Sequence, residues 1–246
     1  TETYLSLRRL ENKVLELYQG GQIGFGDENN NPIKVSISQF YGIEINDFAV
    51  TVAKTALWIA ESQMMKETES ILHINLDFLP LKSYTNIIEA NALRINWEEV
   101  VPKENLNYIM GNPPFVGARL MDENQKQDMQ KVFGKIKGLG NLDYVTAWYK
   151  KAFEYIQNTK IKVAFVSTNS ISQGEQVPLL WKNILGVNVN IDFAWRTFKW
   201  NSEAKEKAAV HCVIIGFSNI NKAEKVIYNN TTKNIVANIN GYLIDA

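Results

Sequence analysis

Near the start of the chain, apolar residues fall at Tyr4, Leu5, Leu7, Leu10, Val14, Leu15 and Leu17, with Arg, Glu and Lys between them. This is helical spacing, and it predicts an amphipathic helix across TETYLSLRRLENKVLELYQ. GGQIGFGDENNNP reads as a loop by its glycines and asparagines. QFYGIEIN (39–46) predicts a short strand, and DFAVTVAKTALWIAESQMMKE (47–67) a long helix with Asp47 as its N-cap. NIIEANALRINW (86–97) predicts a strand followed by a turn. LNYIMG (106–111) is apolar between turn residues, the pattern of a strand buried on both faces. LDYVTAWYKKAFEYIQ (142–157) predicts a helix that buries Leu142, Val145, Trp148, Tyr149, Ala152 and Ile156. IKVAFVSTNS (161–170) reads as a strand and VPLLWKNIL (177–185) as a helix, with Pro178 in its first turn. VNVNIDFAWRTF (187–198) and AAVHCVIIGFS (208–218) read as two strands with no helical pattern between them.

The resulting order, α-β-α-β-β-α-β-α-β-β, predicts an α/β fold. Its sheet is mostly parallel, with helices on both faces and an antiparallel hairpin at the C-terminal edge. Residues 219–246 are polar and Asn-rich, and read as a linker leaving the domain, with one short strand at 225–228.

Composition narrows the picture. The chain has 246 residues, 46% hydrophobic and 21% charged, which is ordinary for a globular domain. No apolar run approaches the roughly 18 residues of a membrane span, and no signal-peptide pattern opens the chain. The single cysteine, Cys212, excludes an internal disulfide and makes the reducing cytoplasm the default compartment. Set within AAVHCVIIGF, it reads as a small buried hydrophobe rather than a nucleophile. The formal net charge is zero, so this chain alone is expected to hold nucleic acid weakly and to need a separate module for affinity. His73 and His211 both lie in apolar, strand-like runs, and so few His and Cys residues make a zinc site improbable.

Ligands of open α/β sheets bind at the carboxyl ends of the strands. Four unusual groups fall there: Glu44, Asn91, GNPPF (111–115) and STNS (167–170). A carboxylate at a strand tip, such as Glu44, can accept both hydroxyls of a ribose; it equally reads as a charge beside a helix start. Asn112, Pro113, Pro114 and Phe115 read either as a strand-ending turn or as something more specific. The Asn112 side-chain oxygen and the Pro113 carbonyl are two acceptors, the prolines stiffen the backbone, and Phe115 supplies a flat apolar face. Two acceptors suit the two hydrogens of an exocyclic amine.

With these residues the chain resembles the class I S-adenosylmethionine-dependent methyltransferases. The likeness is specifically to the gamma-type N6-adenine DNA methyltransferases within fused type IIG/IIL restriction–modification enzymes. GNPPF matches their catalytic [N/D]-P-P-[Y/F] motif. The likeness extends through FYGIEINDFAVTVAKTALWIAESQM, NALRINW, NLDYVTAWYKKA, STNSISQGEQV and FAWRTFKWNSEAKEKAAVHCVIIGF.

The resemblance implies a Rossmann-like sheet and S-adenosyl-L-methionine as cofactor. Glu44 would bind its ribose and Asn91 its adenine, with Ile45 and Leu93 bordering that adenine. Asp143, with Tyr144, would stand at the helix start beside the pocket. Asn112, Pro113, Pro114 and Phe115 would form the catalytic loop, and Phe198 or Trp200 would stack with Phe115 on an extruded base. No metal is implied. Residues 1–218 would be the catalytic domain, N-terminally incomplete. The family's glycine motif, resembling D-P-A-C-G-S-G-N-F, and the first strand that carries it are absent, and GFG at 24–26 is no substitute. The resemblance further implies duplex DNA as substrate, an endonuclease domain upstream, a target-recognition domain downstream, and little activity of this piece alone. Residues 117–138 would form a loop and helix near DNA, with Arg119, Lys126 and Lys131 either on phosphate or on a solvated face. Two other readings remain open: a methyltransferase acting on RNA or on protein glutamine with the same loop, and a non-catalytic piece packed against a specificity module.

Overall fold

The computed structural model describes residues 1–19, 32–73, 86–182, 184–185, 188–200 and 210–246. Nearly all of the glycine-rich loop, including GFG, lies outside them. The chain divides into two compact units, Thr1–Asn96 and Trp97–Ala246.

The first unit contains α1 (Glu2–Gln19), β1 (Gly42–Glu44), α2 (Asp47–Leu72) and β2 (Ile87–Glu89). β1 and β2 pair in parallel, Ile43 opposite Ile88. Tyr4, Ile37, Leu57, Ala60 and Met64 form the core, with Leu5, Val35, Phe40 and Ile87 packed against it.

α1 is present, but its buried face is not purely the apolar stripe. Leu7, Leu10, Val14 and Leu17 are exposed, whereas Arg8 and Asn12 are buried with Tyr4 and Leu15. The buried guanidinium is paired with Glu11 and donates to Thr68 Oγ1 on α2 at 2.6 Å. Thr68 in turn donates to Asn12 Oδ1 at 2.7 Å. A charge that is paired and hydrogen-bonded tolerates burial, and periodicity of residue types cannot register such partners.

The N-cap of α2 is Asn46, not Asp47. Asn46 has extended backbone angles, and its side chain accepts from Ala49 N at 3.0 Å. Asp47 takes the first helical position, where a carboxylate still meets the positive end of the helix dipole. The helix runs on to Leu72, and His73 is its C-cap in the left-handed region (φ 52°), not a strand residue.

The second unit contains β3 (Tyr108–Gly111), α3 (Glu123–Phe133), α4 (Thr146–Tyr155), β4 (Lys162–Thr168), α5 (Gln176–Trp181), β5 (Asn190–Trp200), β6 (Val210–Ser218), β7 (Lys225–Asn229) and β8 (Thr232–Val236). The six strands lie in the order β3-β4-β6-β5-β7-β8. β3–β4 and β5–β7 are parallel; β4–β6, β5–β6 and β7–β8 are antiparallel. This is the expected mixed α/β sheet, parallel pairs joined to antiparallel strands.

Two local expectations change. β3 alternates rather than being buried on both faces, with Tyr108 and Met110 62% and 60% exposed. The Lys162 ammonium on β4 sits 5.5 Å from the Tyr108 ring centroid, which explains how an aromatic is tolerated there. Residues 219–246 are not a free linker. β7 and β8 extend the sheet past the β5–β6 pair, so that pair is internal among the described strands. The chain then closes a turn, with Asn240 N donating to Ile244 O and Leu243 N to Asn240 O. Ile239 and Leu243 are buried. The asparagines that made the segment look like a linker are its turn formers: Asn240 Oδ1 accepts from Tyr242 N at 2.9 Å.

The core of this unit centres on Tyr149 of α4, whose ring lies 5.3 Å from Phe165, 5.6 Å from Trp181 and 5.7 Å from Phe217. Its hydroxyl and Ser167 Oγ share a hydrogen bond of 2.6 Å. Cys212 is fully buried, and burial pushes its thiol pKa up, as suits an inert core residue. No helix among the described residues is long and apolar enough to cross a membrane.

Candidate active site

The corner at 112–115 begins where the β3–β4 ladder loses a donor. Lys162 N donates to Asn107 O at 3.0 Å, and this bond with the register Tyr108↔Lys162 to Gly111↔Phe165 fixes the alternation of the ladder. The next β3 amide due to donate, to Val166 O, would belong to residue 113. Pro113 has no N–H, so the ladder stops and the chain turns away. Gly111 makes room for the Phe165 ring: a Cβ at 111 would lie 3.4 Å from its Cδ1 and Cε1.

Asn112 is exposed, Pro113 buried, Pro114 exposed and Phe115 half-buried. Among the described residues neither the Asn112 side chain nor the Pro113 carbonyl has a hydrogen-bond partner. Val116 N donates to Pro114 O at 3.1 Å, which tightens the turn.

The chain beyond the corner is held by the start of α4. Tyr144 N donates to Val116 O at 2.9 Å, and Ala118 N to Asp143 Oδ1 at 2.9 Å. Asp143 Oδ2 accepts from Ser170 Oγ at 2.5 Å. Ser170 Oγ lies 2.7 Å from Thr168 Oγ1; since the Ser170 proton goes to the carboxylate, Thr168 is the donor there. Asp143 N donates to Gln176 Oε1 at 3.2 Å, and its carbonyl accepts from Thr146 Oγ1 at 2.7 Å. These bonds hold residues 142–145 outside the helix, which therefore starts at Thr146. Ala118, Ser170 and Gln176 line a pocket of about 450 Å³ together with Arg119 and Asn141. A second pocket of about 360 Å³, lined by Ser172, Arg196, Thr197 and Tyr242, shares Gln173 and Gly174 with the first. None of Ala118, Ser170, Gln173 or Gln176 stood out individually in the sequence, although STNS marked the strand end that carries Ser170.

Phe198 is half-buried and Trp200 exposed on β5, their centroids 6.4 Å apart. Phe198 pairs with Cys212, which pairs with Thr168. The end of β5 thus lies at the same end of the sheet as the corner, three strand spacings or about 14 Å across it. A bulge between Trp195 and Phe198 breaks the register there. Beyond the corner, Lys126 is paired with Glu123 at 2.7 Å, whereas Arg119 and Lys131 are exposed.

In the first unit, Glu44 and Asn91 stand at the carboxyl ends of the two paired strands, as the sequence implied. Glu44 is half-buried; its Oε1 accepts from Asn46 N at 3.1 Å, which leaves Oε2 without a partner among the described residues. Asn91 Oδ1 accepts from Leu93 N at 2.9 Å, and its carbonyl accepts from Arg94 N and Ile95 N. Ile45 is 68% exposed, but Leu93 is 5% exposed and belongs to the core. The Asn91 turn brackets the Leu93 backbone, and its side chain is buried where that of Ile45 is not.

One parallel strand of the second unit ends in Asn-Pro-Pro-Phe and one of the first unit ends in an acidic residue, and the chain has the methyltransferase fold. The chain belongs to the family described as MmeI, DNA-methyltransferase domain, whose model matches residues 1–229. It is 43% identical over 247 aligned positions to DNA methyltransferase A of Bacillus subtilis (strain 168), covering 99% of this chain and 28% of that protein. It is 45% identical to the type IIL restriction–modification enzyme MmeI, solved in complex with DNA. The TM-score is 0.91, with 99% of this chain and 33% of that one covered. The chain thus spans a third or less of the length of these relatives.

Proposed function

We propose that the protein to which this chain belongs transfers a methyl group from S-adenosylmethionine to N6 of an adenine flipped out of duplex DNA. It would do so as the methyltransferase part of a restriction–modification enzyme. The observation that carries this reading is Asn112, an exposed amide with no partner, on a backbone fixed by two prolines and beside an equally unpartnered Pro113 carbonyl. The family membership and the DNA complex of a relative 45% identical support DNA over RNA or protein glutamine.

The first unit offers what the cofactor needs. The free oxygen of Glu44 suits ribose hydroxyls, Asn91 ends the neighbouring strand, and Ile45 offers exposed apolar surface for a purine. When bound, S-adenosylmethionine supplies an electrophilic methyl group on a sulfonium.

The second unit offers what the base needs. Flipping costs a few kcal/mol, and stacking on Phe115, with Phe198 or Trp200 on the other face, would offset it. Asn112 Oδ1 and the Pro113 carbonyl would accept the two N6 hydrogens. These bonds favour a tetrahedral nitrogen whose lone pair is directed at the methyl carbon. The nitrogen would gain the methyl directly from the bound cofactor, with no covalent bond to the enzyme, and would lose one N6 proton to solvent as it does so. Positioning and fixed dipoles therefore supply the catalysis. Under this reading the activity would be cytoplasmic, and nuclease and target-recognition parts would accompany it in the full-length protein.

The test is methyl transfer by the full-length protein to duplex DNA, RNA and glutamine peptides. Methyl-adenine in duplex DNA, located at N6 by mass spectrometry of the nucleosides, is expected. Transfer only to RNA or peptide, or to cytosine, overturns the reading.

A further inference from the structure

We propose that Asp143 is a positioning residue for the acceptor corner and not a ligand of the cofactor; this rests on the proposed methyl transfer. Among the described residues Glu44 has one oxygen without a donor of this chain, whereas both oxygens of Asp143 are already committed to such donors. Oδ1 is taken by Ala118 N at 2.9 Å and Oδ2 by Ser170 Oγ at 2.5 Å. The residue is 8% exposed, and its own backbone is fixed by Gln176 Oε1 and Thr146 Oγ1.

Its two oxygens join two loops that leave the ends of neighbouring parallel strands: residues 112–118 after β3 and 168–170 after β4. The adjacent Tyr144 N–Val116 O bond adds a second tie two residues nearer the corner. Beyond Gly111 the ladder with β4 gives the corner no further support, because Pro113 cannot donate. The ties at 116 and 118 are what fix the far end of the corner. A rigid anchor on each side keeps Asn112 Oδ1 and the Pro113 carbonyl aimed in one direction, and the Ser170–Thr168 relay couples that aim to β4. A carboxylate is the suitable side chain, since its two oxygens accept both bonds at once with charge-assisted strength.

The experiment compares full-length wild type with Asp143→Ala, Asp143→Asn and Ser170→Ala. It reads single-turnover methyl transfer to duplex DNA and S-adenosylmethionine affinity by calorimetry. Asp143→Ala is expected to slow transfer about 100-fold, the scale of a 1 Å misplacement, with cofactor Kd unchanged within about threefold. Asp143→Asn is expected to recover most of the rate, because its oxygen still accepts from Ala118 N and its amide can donate to Ser170 Oγ. Ser170→Ala removes one of the two bonds to the Asp143 carboxylate and leaves the bond from Ala118 N in place. It is expected to slow transfer about tenfold at unchanged Kd, and it decides the matter if Asp143→Ala does not fold. A cofactor affinity that falls in step with the rate makes Asp143 a ligand and overturns the proposal, as does a Ser170→Ala enzyme of full rate. Wild type that transfers no methyl to DNA yet binds the cofactor overturns the functional reading instead.

Discussion

Pro113 occupies the position whose amide would have donated to the carbonyl of Val166, and Asn112, the residue before it, is left exposed with its side chain unpaired. The break in the ladder and the availability of the acceptor are thus one feature. The exposed amide keeps its oxygen free to accept, where a strand continued in the ladder would have carried the chain past it. In the full-length protein Asn112→Ala is expected to slow single-turnover methyl transfer by about 100- to 1000-fold, the scale of removing one preorganised polar group at a reacting centre. Cofactor affinity measured by calorimetry should not change. Parallel loss of both would place Asn112 in cofactor binding.

Gly216 on β6 lies under the ring of Phe193 on the neighbouring β5, and the two are register partners beside the irregularity at Ile191/Phe193. A Cβ at 216 would fall 2.7 Å from Phe193 Cζ and closer still to the ring's near edge. Gly216→Ala is therefore expected to destabilise by about 1–3 kcal/mol, the usual cost of overpacking. Phe193→Leu in the same chain should return part of that loss. A Gly216→Ala protein with unchanged denaturant midpoint would mean that the ring moves aside freely.

Glu61, on the α2 face toward the 3-10 turn at Ile37–Gln39, has its pKa raised above the usual carboxylate range, chiefly by burial, against the Ile37 amide and Arg8, which lower it. The folded state therefore holds the proton more tightly than the unfolded chain. Stability falls as pH rises through the unfolded and then the folded pKa, and the penalty is complete above both. Glu61→Gln keeps an acceptor for Ile37 N and removes the charge. It is expected to raise the melting temperature at pH 7 and to change it little near pH 4, where the wild-type carboxyl is largely protonated. A gain that is the same at both pH values would trace to something other than ionisation.

How much of this was open to reading from sequence depends on what each element relies upon. β4, β5 and β6 follow from runs of apolar residues, and the strand-end placement of Glu44, Asn91 and the Asn-Pro-Pro-Phe corner follows from turn residues after such runs. All of these are local signals. The buried face of α1 did not follow, because Arg8 is buried by virtue of Glu11 three residues on and Thr68 on another helix. Nor did the burial of Leu93, which follows from a turn closed by the Asn91 side chain. The partners of Asp143 at 118 and 170 were not legible either, since they are distant in the chain and of common types. Pairings of this sort leave no periodic trace.

The C-terminal turn gives the sharpest case of composition misleading. Leu243 adopts φ 58°, a region that costs a non-glycine residue about 1–2 kcal/mol, and it is only 1% exposed. Burial of its side chain is what holds it there. Gly241 packs so closely on Trp181 of α5 that a Cβ would lie 2.7 Å from Cδ1 and 2.8 Å from Cγ of the indole. The Trp181 ring cannot move away readily, because its Nε1 donates to Ile171 O at 3.0 Å. Leu243→Ala is therefore expected to lower stability by about 2–4 kcal/mol, the range for emptying a buried leucine site, and Gly241→Val to detach the turn. Limited proteolysis should then cut near residues 237–246 in both variants and spare the wild type. A wild-type segment cleaved as fast as the variants, with no stability lost in Leu243→Ala, would return these residues to the status of a linker.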